Sequence, residues 1–99
     1  MKNPAVYIMT NRPNGVLYVG VTSNLIARVW QHREKLVEGF TSRYNLTQLV
    51  WYECHSTMES AILREKQLKA GNRARKCGLV EDSNPNWLDL WLDIASIGT

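Results

Sequence analysis

Cysteine is scarce in this chain of 99 residues: Cys54 and Cys77 stand 23 positions apart, which is no disulfide framework. Together with His32 and His55 they show none of the paired spacing of a zinc site. Both cysteines are expected to be buried small hydrophobes. Long apolar runs are missing too, and none approaches the ~18 residues of a membrane span. The opening Met1-Lys2-Asn3-Pro4 lacks the apolar core and cleavage site of a signal peptide, so the expected compartment is the cytoplasm. No Gly-rich nucleotide loop or nucleophile elbow occurs. Cys54 and His55 are neighbours, so on a strand they point to opposite faces and form no dyad.

Basic residues are absent from the acidic C-terminal end. Residues 81–99 carry Glu81, Asp82, Asp89 and Asp93 with no Lys or Arg. Residues 1–52 hold six basic and two acidic residues, and residues 53–80 six and three. The net charge of +3 thus hides a basic body opposed by an acidic tail. Such a body favours polyanions, nucleic acid above all, through its field and counterion release. A solvated surface that happens to lean basic accounts for charge alone about equally well. Hydrophobic residues at 44% and charged residues at 21% exclude a disordered tail. The length predicts one domain over residues 1–99, with a motif core over about 4–80 and a last helix over about 85–96.

Residues 4–10 and 16–21 read as two strands rich in β-branched and aromatic types. Asn14-Gly15 between them is a hairpin signal, because both residues tolerate positive φ. Any hairpin loop of even length puts Tyr7 and Tyr18 on one face. Thr22-Ser23 offers an N-cap for a helix over about 23–37. Residues 39–45 read as loop and 47–54 as a third strand. Ser56-Thr57-Met58-Glu59 has the form of a capping box opening a second helix that runs to about Ala70. A short basic helix follows from Arg73 to near Gly78, and Asn84-Pro85 supplies cap and first-turn proline for the last one. The order ββαβααα predicts an α+β fold, a small three-stranded antiparallel sheet flanked by helices.

Several residues resist a purely structural reading. On the second helix Met58, Ala61, Ile62 and Leu68 mark one face, and Glu65 falls in its middle. A carboxylate there is costly unless cations or donors answer it. It pairs with an arginine, sits at a partly solvated helix end, or holds a divalent metal. On the first helix Arg28, His32 and Lys35 span only about 60° of the wheel, a strip suited to phosphate. The alternative is a solvated face beside Glu34, and for Lys35 alone that alternative is the better one. The strand tyrosines have an ordinary reading as packing residues. Gly20 marks a bulge or a close backbone approach to a ligand. Trp87 and Trp91, one turn apart, are expected to pack the last helix on the body.

Jointly these elements resemble the GIY-YIG nucleases, closest to their small stand-alone members. Val6-Tyr7-Ile8, then Tyr18-Val19-Gly20, then Arg28 and His32, then Glu65 carry the resemblance. The run from Gly20 to His32 matches the form GxTSxLxxRxxxH, and similarity continues through Gly39-Phe40-Thr41 and Asn84-Pro85-Asn86-Trp87. Ala5 stands where the first motif has glycine, and residues 69–72 depart from the usual basic-aromatic run. The resemblance implies metal-dependent cleavage of phosphodiester bonds in DNA, directed by structure more than by sequence, with Mg²⁺ or Mn²⁺ on Glu65. It implies catalytic roles for Tyr7, Tyr18, Arg28, His32 and Glu65. Tyr18 is the preferred base with Tyr7 its hydrogen-bonding partner, and His32 competes by pKa. Lys35, Arg43, Lys66, Lys69 and Arg73 are the expected nucleic-acid contacts. No membrane is involved, and the chain is expected to act as a monomer or weak homodimer. A non-cleaving nucleic-acid-binding module of the same fold, and a protein-interaction domain using the C-terminal tryptophan helix, are the rival classes.

Overall fold

The computed structural model describes residues 3–95. Strands β1 (Ala5–Thr10), β2 (Leu17–Thr22) and β3 (Gln48–Cys54) form one antiparallel sheet in the order β2-β1-β3. The hairpin loop between β1 and β2 has six residues, 11–16, an even number. Tyr7 therefore pairs with Gly20 and Met9 with Tyr18, which leaves both tyrosines on one face. Asn11 closes the loop by accepting from the Val16 amide at 3.0 Å.

Strand β1 is buried along its whole length because helices cover both faces of the sheet. Val6, Ile8, Val19 and Trp51 pack on one face against Ala61 of α3 (Met58–Ala70) and Val80 of α4 (Arg73–Ser83). Tyr7, Met9 and Leu49 pack on the other against Val29 of α1 (Leu25–Arg33) and Ile94 of α5 (Trp91–Ala95). The alternation along β1 is the strand period at work. Among the described residues no helix is long and apolar enough to cross a membrane.

Several boundaries differ from the sequence expectation. Asn24, not Thr22 or Ser23, caps α1: its side chain accepts from the Ala27 amide. Thr57, not Ser56, caps α3 by accepting from Ser60, so the expected box with Glu59 does not form and a single N-cap bond replaces it. The stretch read as loop contains α2 (Phe40–Arg43). Helix α4 runs five residues beyond Gly78 to Ser83. Asn84 ends α4 instead of starting the last helix. Its amide side chain bonds the Val50 and Leu88 carbonyls, which fixes the chain across β3 where the register with β1 shifts. Of the last helix, α5 begins only at Trp91, and residue 96 lies outside the described residues. Trp87 is buried outside any helix with φ of 55°, its indole bonded to Glu81. Cys54, the last residue of β3, is exposed, and Cys77, midway along α4 at the margin of the core, is only partly covered, so neither is the buried small hydrophobe expected.

Helix α1 stops at Arg33, four residues early, in a Schellman turn. The Leu36 amide bonds the Gln31 carbonyl and the Lys35 amide bonds that of His32, with Lys35 at φ of 57°. Glycine normally takes this left-handed position because a Cβ is penalised there. Lys35→Gly is accordingly expected to raise stability by about 1 kcal/mol, read as a higher urea midpoint at unchanged slope.

Candidate active site

Four elements bring the motif residues into one cluster. Tyr7 comes from β1 and Tyr18 from β2, with ring centroids 6.3 Å apart. One turn apart on α1, Arg28 and His32 face them, and the His32 ring lies 5.6 Å from Tyr7 and 5.7 Å from Tyr18. Glu65 comes from α3. Its orientation follows from its neighbour: Arg64 turns toward β3, where its Nε donates to Glu53 at 3.2 Å. His55 bonds both Glu53 and Ser60, so the start of α3 is tied to the end of β3. One residue further round the helix, about 100°, Glu65 is turned away from that clamp.

Within the cluster a 2.9 Å hydrogen bond joins the Tyr7 hydroxyl and His32 Nε2. His32 Nδ1 meets Thr41 Oγ1 at 3.3 Å. Both imidazole nitrogens are thus engaged. When the Tyr7 hydroxyl donates to Nε2, the Nδ1–H donates to Thr41. Tyr7 and His32 are only 2% and 3% exposed. Burial, reinforced by Tyr18, pushes the Tyr7 hydroxyl well above the usual phenol range; Arg28 acts against that rise and Glu65 with it. Burial, and secondly the Arg28 guanidinium, lower His32 to about 4. The same phenol feels both charges, so Arg28 and Glu65 lie near it. The imidazole is neutral at pH 7.

That neutrality has a measurable cost in acid. Unfolded histidine takes up its proton near ~6.5, whereas folded His32 resists it down to about 4. Between those values the unfolded state binds more protons, so stability falls as pH falls through this window. The full effect is about 3 kcal/mol. Urea unfolding at pH 7 and pH 4 is expected to show that share of the acid loss removed in His32→Gln.

Gly20 is explained by its neighbour rather than by a bulge or a ligand. A Cβ there would lie 2.4 Å from Cζ and 2.5 Å from the hydroxyl of Tyr7, and 2.9 Å from Tyr18. The missing side chain is what lets the Tyr7 ring cross its partner strand.

Glu65 is not answered by an arginine. Its carboxylate is 16% exposed and pairs with Lys69 one turn on, at 3.1 Å. The i, i+4 spacing of that pair was legible in the sequence. Lys69 Nζ also stands 5.8 Å from the centre of the Tyr18 ring. Arg28 makes no hydrogen bond or ion pair among the described residues, which leaves its guanidinium available. Among those residues no three His, Cys, Asp or Glu side chains cluster to hold a metal. An all-protein cage is therefore excluded there, while a single carboxylate suits Mg²⁺ or Mn²⁺, which keep waters and share substrate phosphates.

The remaining basic candidates scatter. Lys35 has left the helix strip for the Schellman turn. Arg43 on α2 and Lys66 on α3 are exposed. Arg73 is already committed, donating to the Asn14 and Gly15 carbonyls at 2.8 and 2.7 Å and so pinning the hairpin to α4. Thr41, behind His32, was read only as loop; its signal was a place in the Gly39-Phe40-Thr41 similarity.

A small sheet carrying paired tyrosines against a helical Arg and His is the arrangement of a GIY-YIG catalytic domain. That family matches residues 3–77, and the chain belongs to it. It is 33% identical to a UPF0213 protein of Haloquadratum walsbyi over 67% of this chain and 74% of that one. It is 31% identical to a UPF0213 protein of Staphylococcus haemolyticus over 78% and 93%. The fold is similar to the solution NMR structure of a UPF0213 protein from Bacillus halodurans, with TM-score 0.55, 23% identity and 98% of both chains covered.

Proposed function

We propose that this protein is an endonuclease that hydrolyses phosphodiester bonds in DNA with one divalent cation, Mg²⁺ or Mn²⁺, held by Glu65. The observation that carries this reading is the Tyr7–His32 hydrogen bond, with a guanidinium and a carboxylate near it, in a chain of the GIY-YIG family. When bound, the cation supplies neutralisation of charge at the phosphoryl and leaving oxygens.

The chain's own residues divide the remaining work. Arg28 holds the non-bridging oxygens, and its grip strengthens as charge develops on them. Water attacks phosphorus, the water oxygen bonds to it, and the bond to the 3′ oxygen breaks. As the water loses its proton to the Tyr7 oxygen, Tyr7 passes its own to His32 Nε2. The high pKa of Tyr7 disfavours a standing phenolate, and the neutral imidazole removes the need for one. His32 is a weak base first through burial and secondly through Arg28; a phosphodiester on Arg28 offsets the second of these and raises the imidazole's basicity in part. The leaving oxygen takes a proton from solvent, giving 5′-phosphate and 3′-hydroxyl ends. Among the described residues no such acceptor stands behind the Tyr18 hydroxyl, so we assign it to orienting the water and give Tyr7 the base role first expected of Tyr18. Lys69, over the Tyr18 ring and on Glu65, is released to phosphate when the cation takes the carboxylate.

The test is nicking of supercoiled plasmid with Mg²⁺, with Mn²⁺ and with chelator. Relaxation with either cation and none with chelator is expected, together with products whose nicks a ligase reseals. Intact plasmid under both cations overturns the proposal.

A further inference from the structure

Beside the Tyr7–His32 cluster, and sharing Tyr18 with it, a groove of about 460 Å³ follows the outer edge of β2. Strand β2 is an edge strand, so no further strand covers this side. The groove has two unlike walls. Val16, Leu17 and Val19 with the Tyr18 ring supply apolar and aromatic surface; Lys69, Arg73 and Lys76 line the opposite side. Lys76 also borders a second groove of about 450 Å³ between α3 and α4, where Arg64 and Arg75 add two more cations.

We propose that this edge groove is a binding site for an unpaired nucleic-acid strand, which reaches the cluster past Tyr18. The proposal rests on the reading of that cluster as the place of the scissile phosphate. Chemistry selects the occupant. A cationic wall suits the phosphates of any nucleic acid, but the apolar and aromatic wall has a use only where base faces are exposed. In a duplex those faces are stacked inside, and the backbone alone would meet the groove. The volume falls in the ~300–1,000 Å³ range of small-ligand sites, room for single nucleotides to seat their bases. Arg73 is largely spent on the hairpin carbonyls, so it fixes the groove's far wall. Lys76, whose one bond among the described residues is to the Gly71 carbonyl, is the cation left to meet phosphate, while Lys69 is held by Glu65 until that carboxylate is engaged elsewhere.

Fluorescence anisotropy of the full chain in chelator, where nothing is cut, tests this with three labelled probes: a short oligothymidylate, a blunt duplex, and the same duplex with an unpaired arm. The armed duplex is expected to bind about tenfold tighter than the blunt one. Lys76→Gln retains a donor for Gly71, and Arg75→Gln serves as a second variant beyond it. Lys76→Gln is expected to reduce the salt slope for the oligothymidylate and the armed duplex by about 0.7, leaving the blunt duplex unchanged. Equal affinity for blunt and armed duplexes, or an unchanged slope in both variants, overturns the proposal. Cleavage of the blunt and armed duplexes with Mg²⁺ or Mn²⁺ separates the two readings. Cleavage without preference for the arm overturns the groove and leaves the nuclease standing; preference for the arm without cleavage under either cation supports the groove and overturns the nuclease.

Discussion

Glu65→Gln and Arg28→Ala are each expected to lower plasmid nicking at least 10²–10³-fold, roughly the loss on removing one group that stabilises transition-state charge. Neither change should disturb the fold. Glu65 is bonded to Lys69, whose side chain is 51% exposed, and such a half-solvated i, i+4 pair is worth about 0.5 kcal/mol or less. Arg28 holds nothing else in place among the described residues. The far-UV circular dichroism of both variants should therefore match that of the parent, so lost cleavage reads as lost chemistry. The two differ in what restores them. Added Mn²⁺ is expected to recover part of the Arg28→Ala activity, because a cation still sits on Glu65. No concentration should recover Glu65→Gln, and undiminished nicking by that variant would remove the metal assignment.

A single methyl group on Gly20 is the second large perturbation. The Cβ of Gly20→Ala would stand 2.4 Å from the Tyr7 ring, far inside van der Waals contact. Tyr7 cannot yield easily, since it is 2% exposed and tied to His32, itself 3% exposed. The ring must tilt or the strands must part, at an expected stability loss of about 1–3 kcal/mol. Because the tilt breaks the bond to His32, nicking should fall out of proportion to the unfolded fraction. Urea midpoints measured beside initial rates separate the two losses. An alanine variant with parental stability and rate would mean that the Tyr7 ring does not sit over Gly20.

Much of this site was legible before any coordinates. The strand period tied the tyrosines' facing to loop parity but did not settle it: strands over 4–10 and 16–21 leave an odd loop of five, and only the observed start of β2 at Leu17 puts both rings on one face. The carboxylate on an apolar stripe singled out Glu65, and helical spacing put Arg28 beside His32. What could not be read depends on contacts between distant residues. Four residues make α2, too few for any periodicity, and its Thr41 is held by His32 rather than by local propensity. A Schellman turn with lysine in glycine's place gave no stop signal at Lys35, so α1 read four residues too long. Asn84-Pro85 carried a sound helix-start signal, yet Asn84 is drawn to the Val50 carbonyl of β3. Tertiary bonding overrode the local rule. The base assignment moved for the same reason: Tyr7 and Tyr18 are alike in sequence, and only the position of His32 tells them apart.

The central claim is that Glu65 and Arg28 lie beside the Tyr7–His32 pair at one cation-binding site. Paramagnetic broadening of the protein's NMR signals during a Mn²⁺ titration tests it most directly. Broadening centred on Glu65 and reaching Tyr7, Tyr18, Arg28 and His32, and absent in Glu65→Gln, is the expected result. Broadening centred instead on the acidic segment of Glu81, Asp82, Asp89 and Asp93, and unaltered in Glu65→Gln, would contradict it.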